Sequence, residues 1–184
     1  MATWGKQVRR REINVLAVID TAHVKHAYGP NEDMSNPVPM DHGRQFMICT
    51  GSRGIVHGQG TGELKLRARA GDRIAIRVVS IGGNSDDAVI PYHVRPASGE
   101  RVLDRFEPVF DVREGAVWPD PDSPDRNGLP PIEDEAHFLH FDSTIKGHGA
   151  ERIEIAFVIF ALSSNRQRQD LFGYYVWSPT IIVV

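Results

Sequence analysis

The chain predicts an all-β fold, a single-domain antiparallel β-sandwich, jelly-roll-like, with a long Pro-rich loop. Three observations predict it. Short apolar runs rich in β-branched residues recur from Ile13 to Val184, punctuated by Gly and Pro. Leu64, Leu66 and Ala68 alternate with Lys65, Arg67 and Arg69, the period-two pattern of a strand with one wet face. No segment carries a convincing amphipathic helix period, and no internal repeat is visible; Ala22 to Tyr28 has room for one helical turn at most.

The elements can be justified in order. Residues 1–11, with the cluster Arg9-Arg10-Arg11, read as a flexible, solvated tail, and residues 12–184 as the sandwich domain. Ile13 to Ile19 is a strand, as is Gln45 to Cys49, which is followed by turn glycines at Gly51, Gly54, Gly58, Gly60 and Gly62. Leu64 to Arg69 and Arg73 to Ile81 flank the turn signal Ala70-Gly71-Asp72, so they are expected to form a hairpin. Ala88 to Val94 follows, with Pro91 suggesting an edge or a bulge. Phe106 to Val112 is a weaker strand candidate. Pro119, Pro121, Pro124, Pro130 and Pro131 then exclude regular structure and predict an ordered loop or arm. His137 to Asp142, Ile153 to Leu162, Leu171 to Trp177 and Thr180 to Val184 complete the strands.

Two C-terminal strands are apolar on both faces. Ile153, Ile155, Phe157 and Ile159 point one way, and Ala156, Val158, Phe160 and Leu162 the other. An antiparallel sheet usually keeps one wet face, so the second face needs cover from the Pro-rich arm or from another subunit. Self-association through Val158, Phe160, Leu162, Ile182 and Val184 is therefore expected, with the chain itself as partner.

Composition bounds the function. The chain has 184 residues, enough for a core without disulfides or metals. A net charge of −3 argues against a general nucleic-acid binder. Cys49, the single cysteine, excludes an intrachain disulfide and reads as a small buried hydrophobe. No signal peptide and no membrane span are expected, which points to the cytoplasm, with leaderless release open.

Catalytic and metal motifs fail on geometry. His137 and His140 fall on opposite faces of a strand; His140 and Asp142 share one, but two ligands do not make a site. The run Asp120 to Gly128 has Pro124 where a calcium loop needs a ligand. Gly58 to Gly62 leads into a strand rather than the helix that a phosphate cradle requires. Gly51-Ser52-Arg53-Gly54 lacks the spacing of a nucleophile elbow. Asp86 and Asp87 are adjacent on an extended chain and point apart, so they cannot flank a glycosidic bond. No catalytic residue, no cofactor and no metal are assigned.

Two binding features remain. The block Asn84-Ser85-Asp86-Asp87, set before the apolar run Ala88-Val89-Ile90, reads as a turn whose carboxylates cap backbone donors, or as a ligand rim. The aromatics Phe172, Tyr174, Tyr175 and Trp177 read as core, or as a sugar-stacking platform. Asp41, His42, Asn84, Asp86 and Asp87 are the candidate ligand residues, with a glycan as the alternative partner.

Five blocks together resemble the bacterial inclusion-body protein family, the AidA and PixA group. They are Ile13-Asn14-Val15-Leu16-Ala17-Val18-Ile19-Asp20-Thr21, Asp41-His42, Thr50-Gly51-Ser52-Arg53-Gly54, Asn84 to Ile90, and Gly173-Tyr174-Tyr175-Val176-Trp177-Ser178-Pro179-Thr180-Ile181. The resemblance implies a small non-enzymatic β protein of bacteria, abundant in the cytoplasm, sometimes packed into inclusions, and tied to quorum sensing and life with a host. It brings no catalytic residues. With only 4 Met the chain departs from methionine-rich members and looks closer to the AidA side, where virulence is the implied theme.

Overall fold

The computed structural model describes residues 10–184, so most of the expected tail over residues 1–11, Arg9 included, lies outside the described residues. In chain order the elements are β1 (Glu12–Ile19), α1 (Thr21–Tyr28), β2 (Val38–Pro39), β3 (Gln45–Thr50), β4 (Ile55–His57), β5 (Glu63–Leu66) and β6 (Arg73–Ser80). They continue with β7 (Ala88–Gly99), β8 (Glu107–Trp118), β9 (Ile132–Thr144), β10 (Gly149–Leu162), β11 (Gln169–Trp177) and β12 (Thr180–Val183).

Two sheets result. The first has the order β3-β1-β6-β9-β8, and the second β2-β11-β10-β12-β5-β4, with β7 along the other edge of β10. The all-β expectation holds. The sheets are mixed rather than purely antiparallel, because β1–β6, β2–β11 and β5–β12 pair in parallel. A parallel pair needs a crossover, and here the chain supplies it by passing between the sheets.

The core follows from strand alternation. Ile13, Val15, Ala17 and Ile19 of β1 and Ile74 and Ile76 of β6 are buried on the first sheet. Ile153, Ile155, Phe157 and Ile159 of β10 and Tyr175 and Trp177 of β11 are buried in the same cluster from the second. Each full burial of such a side chain stabilises the fold by roughly 1.5–3 kcal/mol. Cys49 is buried among them, and the burial pushes its thiol pKa up.

Several elements differ from expectation. The residues around Gly71 do not form a hairpin: β5 belongs to the second sheet and β6 to the first. The buried Asp72 braces the segment between them. It accepts both prongs of the Arg53 guanidinium at 2.8 Å, together with the amides of Arg11 at 3.0 Å and Arg69 at 2.9 Å. Residues 21–28 form a true helix of 8 residues rather than one turn. Asp20 caps it by accepting the His23 amide at 2.9 Å, and Gly29 at φ 69° ends it. The weak candidate at Phe106–Val112 is the start of a 12-residue strand, β8. The Pro-rich segment tips the β8–β9 hairpin of the first sheet, whereas β10 lies in the second, where Val158 is flanked by Tyr174 and Ile90 on the neighbouring strands.

Candidate functional site

The block Asn84 to Asp87 forms the connection from β6 to β7. Asn84 adopts φ 65°, a left-handed conformation that asparagine tolerates better than most residues. Its carboxamide oxygen accepts the amides of Ser80 at 2.9 Å and Val89 at 3.0 Å, and its own amide donates to Ser80 Oγ at 2.8 Å. Gln169 Nε2 donates to the carbonyls of Ser85 and Asp86 at 3.0 Å, tying β11 to the turn.

Asp87 is 8% exposed and ion-pairs with Lys25 of α1 at 2.7 Å. It also accepts the Leu162 amide at 3.3 Å. Burial raises its carboxyl pKa, but Lys25, Thr21 and the Leu162 amide outweigh burial and hold it below the usual carboxylate range. Asp86 is exposed. The capping expected of the carboxylates is thus performed mainly by the Asn84 carboxamide, while Asp87 joins α1 to the end of β10.

Asp41 and His42 also serve the fold. Asp41 donates its amide to Tyr28 Oη at 3.0 Å and accepts the Gly43 amide at 2.8 Å, which lowers its carboxyl pKa. His42 Nδ1 accepts the indole N–H of buried Trp177 at 3.1 Å. A Cβ at Gly62 would lie 3.2 Å from that His42 nitrogen and 3.4 Å from the Trp177 ring, so the packing there is close. Among the aromatics, Tyr175 and Trp177 are fully buried; the Tyr175 hydroxyl donates to the Gly29 carbonyl. Tyr174 meets Tyr92 edge-on at 5.9 Å between ring centroids.

His140 and Asp142 share a face as their spacing requires, with Nε2 and Oδ1 3.2 Å apart. Asp111 reaches the same histidine from β8 at 3.7 Å, which sequence reasoning misses because the β8–β9 register is not readable from either strand alone. The Arg77 guanidinium lies 3.5 Å from the ring, and Arg73 pairs with Asp142. These cations oppose any metal ion there. Among the described residues no group of three or more His, Cys, Asp or Glu is placed to hold one, and no helix is long and apolar enough to cross a membrane.

The fold's least satisfied surface lies elsewhere. β9 pairs with β6 only from Phe141 to Thr144, while β8 and β9 stay paired out to Trp118 and Ile132. Beyond Phe141 the hairpin therefore leaves the sheet as a two-stranded arm. Where it departs, an open cleft of about 350 Å³ forms between Val78, Val79, Ile90, Phe110 and Phe138. Of the fourteen large apolar side chains exposed among the described residues, seven lie on this arm and its tip: Phe110, Val112, Val117, Trp118, Leu129, Ile132 and Phe138. Of the residues expected to drive self-association, Val158 is buried within the single chain, Phe160, Leu162 and Ile182 are half-buried, and Val184 is exposed.

Together these features define a class: a two-sheet β protein in which Asn84, Asp87, Asp41 and His42 brace the connections, with an apolar arm left in solvent. The family model of the PixA inclusion body proteins matches residues 11–183. The chain belongs to that family. It is similar to the inclusion body protein PixA from Burkholderia cenocepacia J2315, whose crystal structure aligns with a TM-score of 0.76 at 26% identity, covering 98% of this chain and 99% of that one. No curated protein matches the chain.

Proposed function

We propose that this protein is a non-enzymatic, self-associating component of bacterial cytoplasmic inclusions, under quorum-sensing control and used in association with a host. Membership of an inclusion body family supports the assembly role. The observation that carries it is the concentration of exposed apolar side chains on the β8–β9 arm. A two-stranded ribbon has no core of its own and is marginally stable in water, so apolar cover from a second molecule stabilises it. The control and host-association parts rest on the family resemblance alone.

The glycan-binding reading is second. Asn84, Asp87, Asp41 and His42 all make hydrogen bonds inside the fold, which leaves Asp86 as the freest polar group of the set. Sedimentation velocity over a concentration series tests the assembly reading: species larger than the monomer should grow with concentration. A strict monomer at high concentration would refute it. Binding on a glycan array would instead promote the second reading.

A further inference from the structure

The arm needs a receptor, and its chemistry restricts the choice. Residues 111–137 carry eight carboxylates and two arginines, a net charge of −6 in a chain whose total is −3. Glu133 and Asp134 stand on β9 opposite Val117 and Ala116, and Ile132 stands opposite Trp118. Neither Glu133 nor Asp134 forms an ion pair among the described residues, and both are exposed. The arm is therefore apolar and acidic at once. It fits a surface that is apolar and basic.

This chain has such a surface on the second sheet. Leu64, Leu66 and Ala68 are buried, so Lys65, Arg67 and Arg69 alternate outward. Ile182 of β12 is the register partner of Lys65 and shares its face, and Val184 continues that face one step on. None of the three cations forms an ion pair among the described residues.

The arm cannot reach its own copy's patch by a local movement. A bridge between Met47 and Thr61 sets the patch beside β3, which is one edge of the first sheet. The arm departs from β8, the opposite edge of that sheet. Arm and patch thus lie at opposite edges of the sandwich.

We infer that the β8–β9 arm of one copy docks on the outer face of β5 and β12 of the next, Trp118 and Ile132 meeting Ile182 and Val184 while Asp134, on the same face of the arm, meets Lys65 and Arg67. This inference rests on the self-association reading and specifies its geometry. A contact between two different surfaces is heterologous, so it propagates from copy to copy unless the rotation closes a ring. Open-ended growth of that kind suits a protein that packs into inclusions. The ionic share of the contact weakens with added salt.

Two variants of the full chain test it. Trp118→Thr with Ile132→Thr removes the apolar contact of the arm without adding charge, and Lys65→Glu with Arg67→Glu disables the patch. Circular dichroism and thermal melting confirm that each is folded; none of the four positions is in the core, and salt titration of the wild type gives a readout free of substitutions. Each variant alone should assemble at least tenfold more weakly than wild type. Mixed in equal amounts they should form one dimer and stop, because a single intact arm meets a single intact patch. Wild-type assembly should weaken severalfold between low and high salt. Undiminished assembly of either variant alone, a mixture that forms no dimer, or salt-insensitive assembly overturns the docking and leaves self-association standing. A wild type that remains monomeric overturns both.

Discussion

The connections between the sheets and the β8–β9 arm are both acidic, and they use their carboxylates in opposite ways. At the connections, Asp72 is buried against Arg53 and two amides, and Asp87 against Lys25 and the Leu162 amide. On the arm, Glu133 and Asp134 are exposed without an ion pair among the described residues. A buried carboxylate must be fully partnered or it destabilises the fold. An exposed one costs nothing while solvated and stays available to another molecule. The difference separates residues that hold this molecule together from residues that can join it to the next.

The sharpest way to break the contrast is Asp72→Ala. It removes the carboxylate that both prongs of the Arg53 guanidinium and the amides of Arg11 and Arg69 meet, and should cost about 3–5 kcal/mol in urea unfolding. The same group predicts an acid response. Burial raises the Asp72 carboxyl pKa, but the Arg53 pair and the two amides overcome that and pull it down to about 2. An unfolded aspartate titrates at about 3.9, so Asp72 contributes roughly 2 kcal/mol of stability above that pH, lost as pH falls toward the folded-state value. Unfolding free energy measured between those two pH values should therefore drop by about that amount in the wild type, and much less in Asp72→Asn.

Asp87→Asn should have an intermediate effect, about 1–3 kcal/mol, since it removes the charge that Lys25 and the Leu162 amide are arranged to meet. Lys25→Met combined with it should recover part of the loss in a double-mutant cycle. On the arm, Glu133→Gln with Asp134→Asn should change monomer stability by no more than about 0.5 kcal/mol, while shifting the assembly midpoint in sedimentation. A large loss of monomer stability from that pair would erase the contrast and make the arm a structural element of its own subunit.

Much of this architecture is legible in the sequence. The burial of Leu64, Leu66 and Ala68 follows from alternation, as does the core face Ile153 to Ile159. The placement of His137 and His140 on opposite faces follows from the same period of two, and the register agrees by placing them opposite Val112 and Val109. The Pro-rich segment is an arm tip, as its proline density requires. The hairpin expected around Gly71 does not form because a turn signal reports a change of direction and not a change of sheet. Helix α1 exceeds the single turn expected of it because only Thr21 and Val24 are buried on it, leaving almost no apolar period to detect. Its Asp20 cap and the glycine at position 29 are the local signals that point to it.

The candidate site is legible in composition but not in role. Asn84, Asp86 and Asp87 stand out as a polar block in apolar sequence, yet nothing local tells which of them caps the turn. Their partners Lys25, Leu162 and Gln169 lie far off along the chain. The exposed arm is hidden for a related reason: Val117, Trp118 and Ile132 look like ordinary strand residues until β6 fails to follow β9 past Phe141.

By itself, then, the sequence determined that this is a two-faced β protein, which strand faces are core, and which family it resembles, because side-chain period and turn chemistry are local properties. Only the tertiary structure decided which sheet each strand joins, which carboxylates are partnered and which apolar side chains are left in water. Those depend on pairing between residues distant in the chain, where burial and register, not local preference, set the outcome.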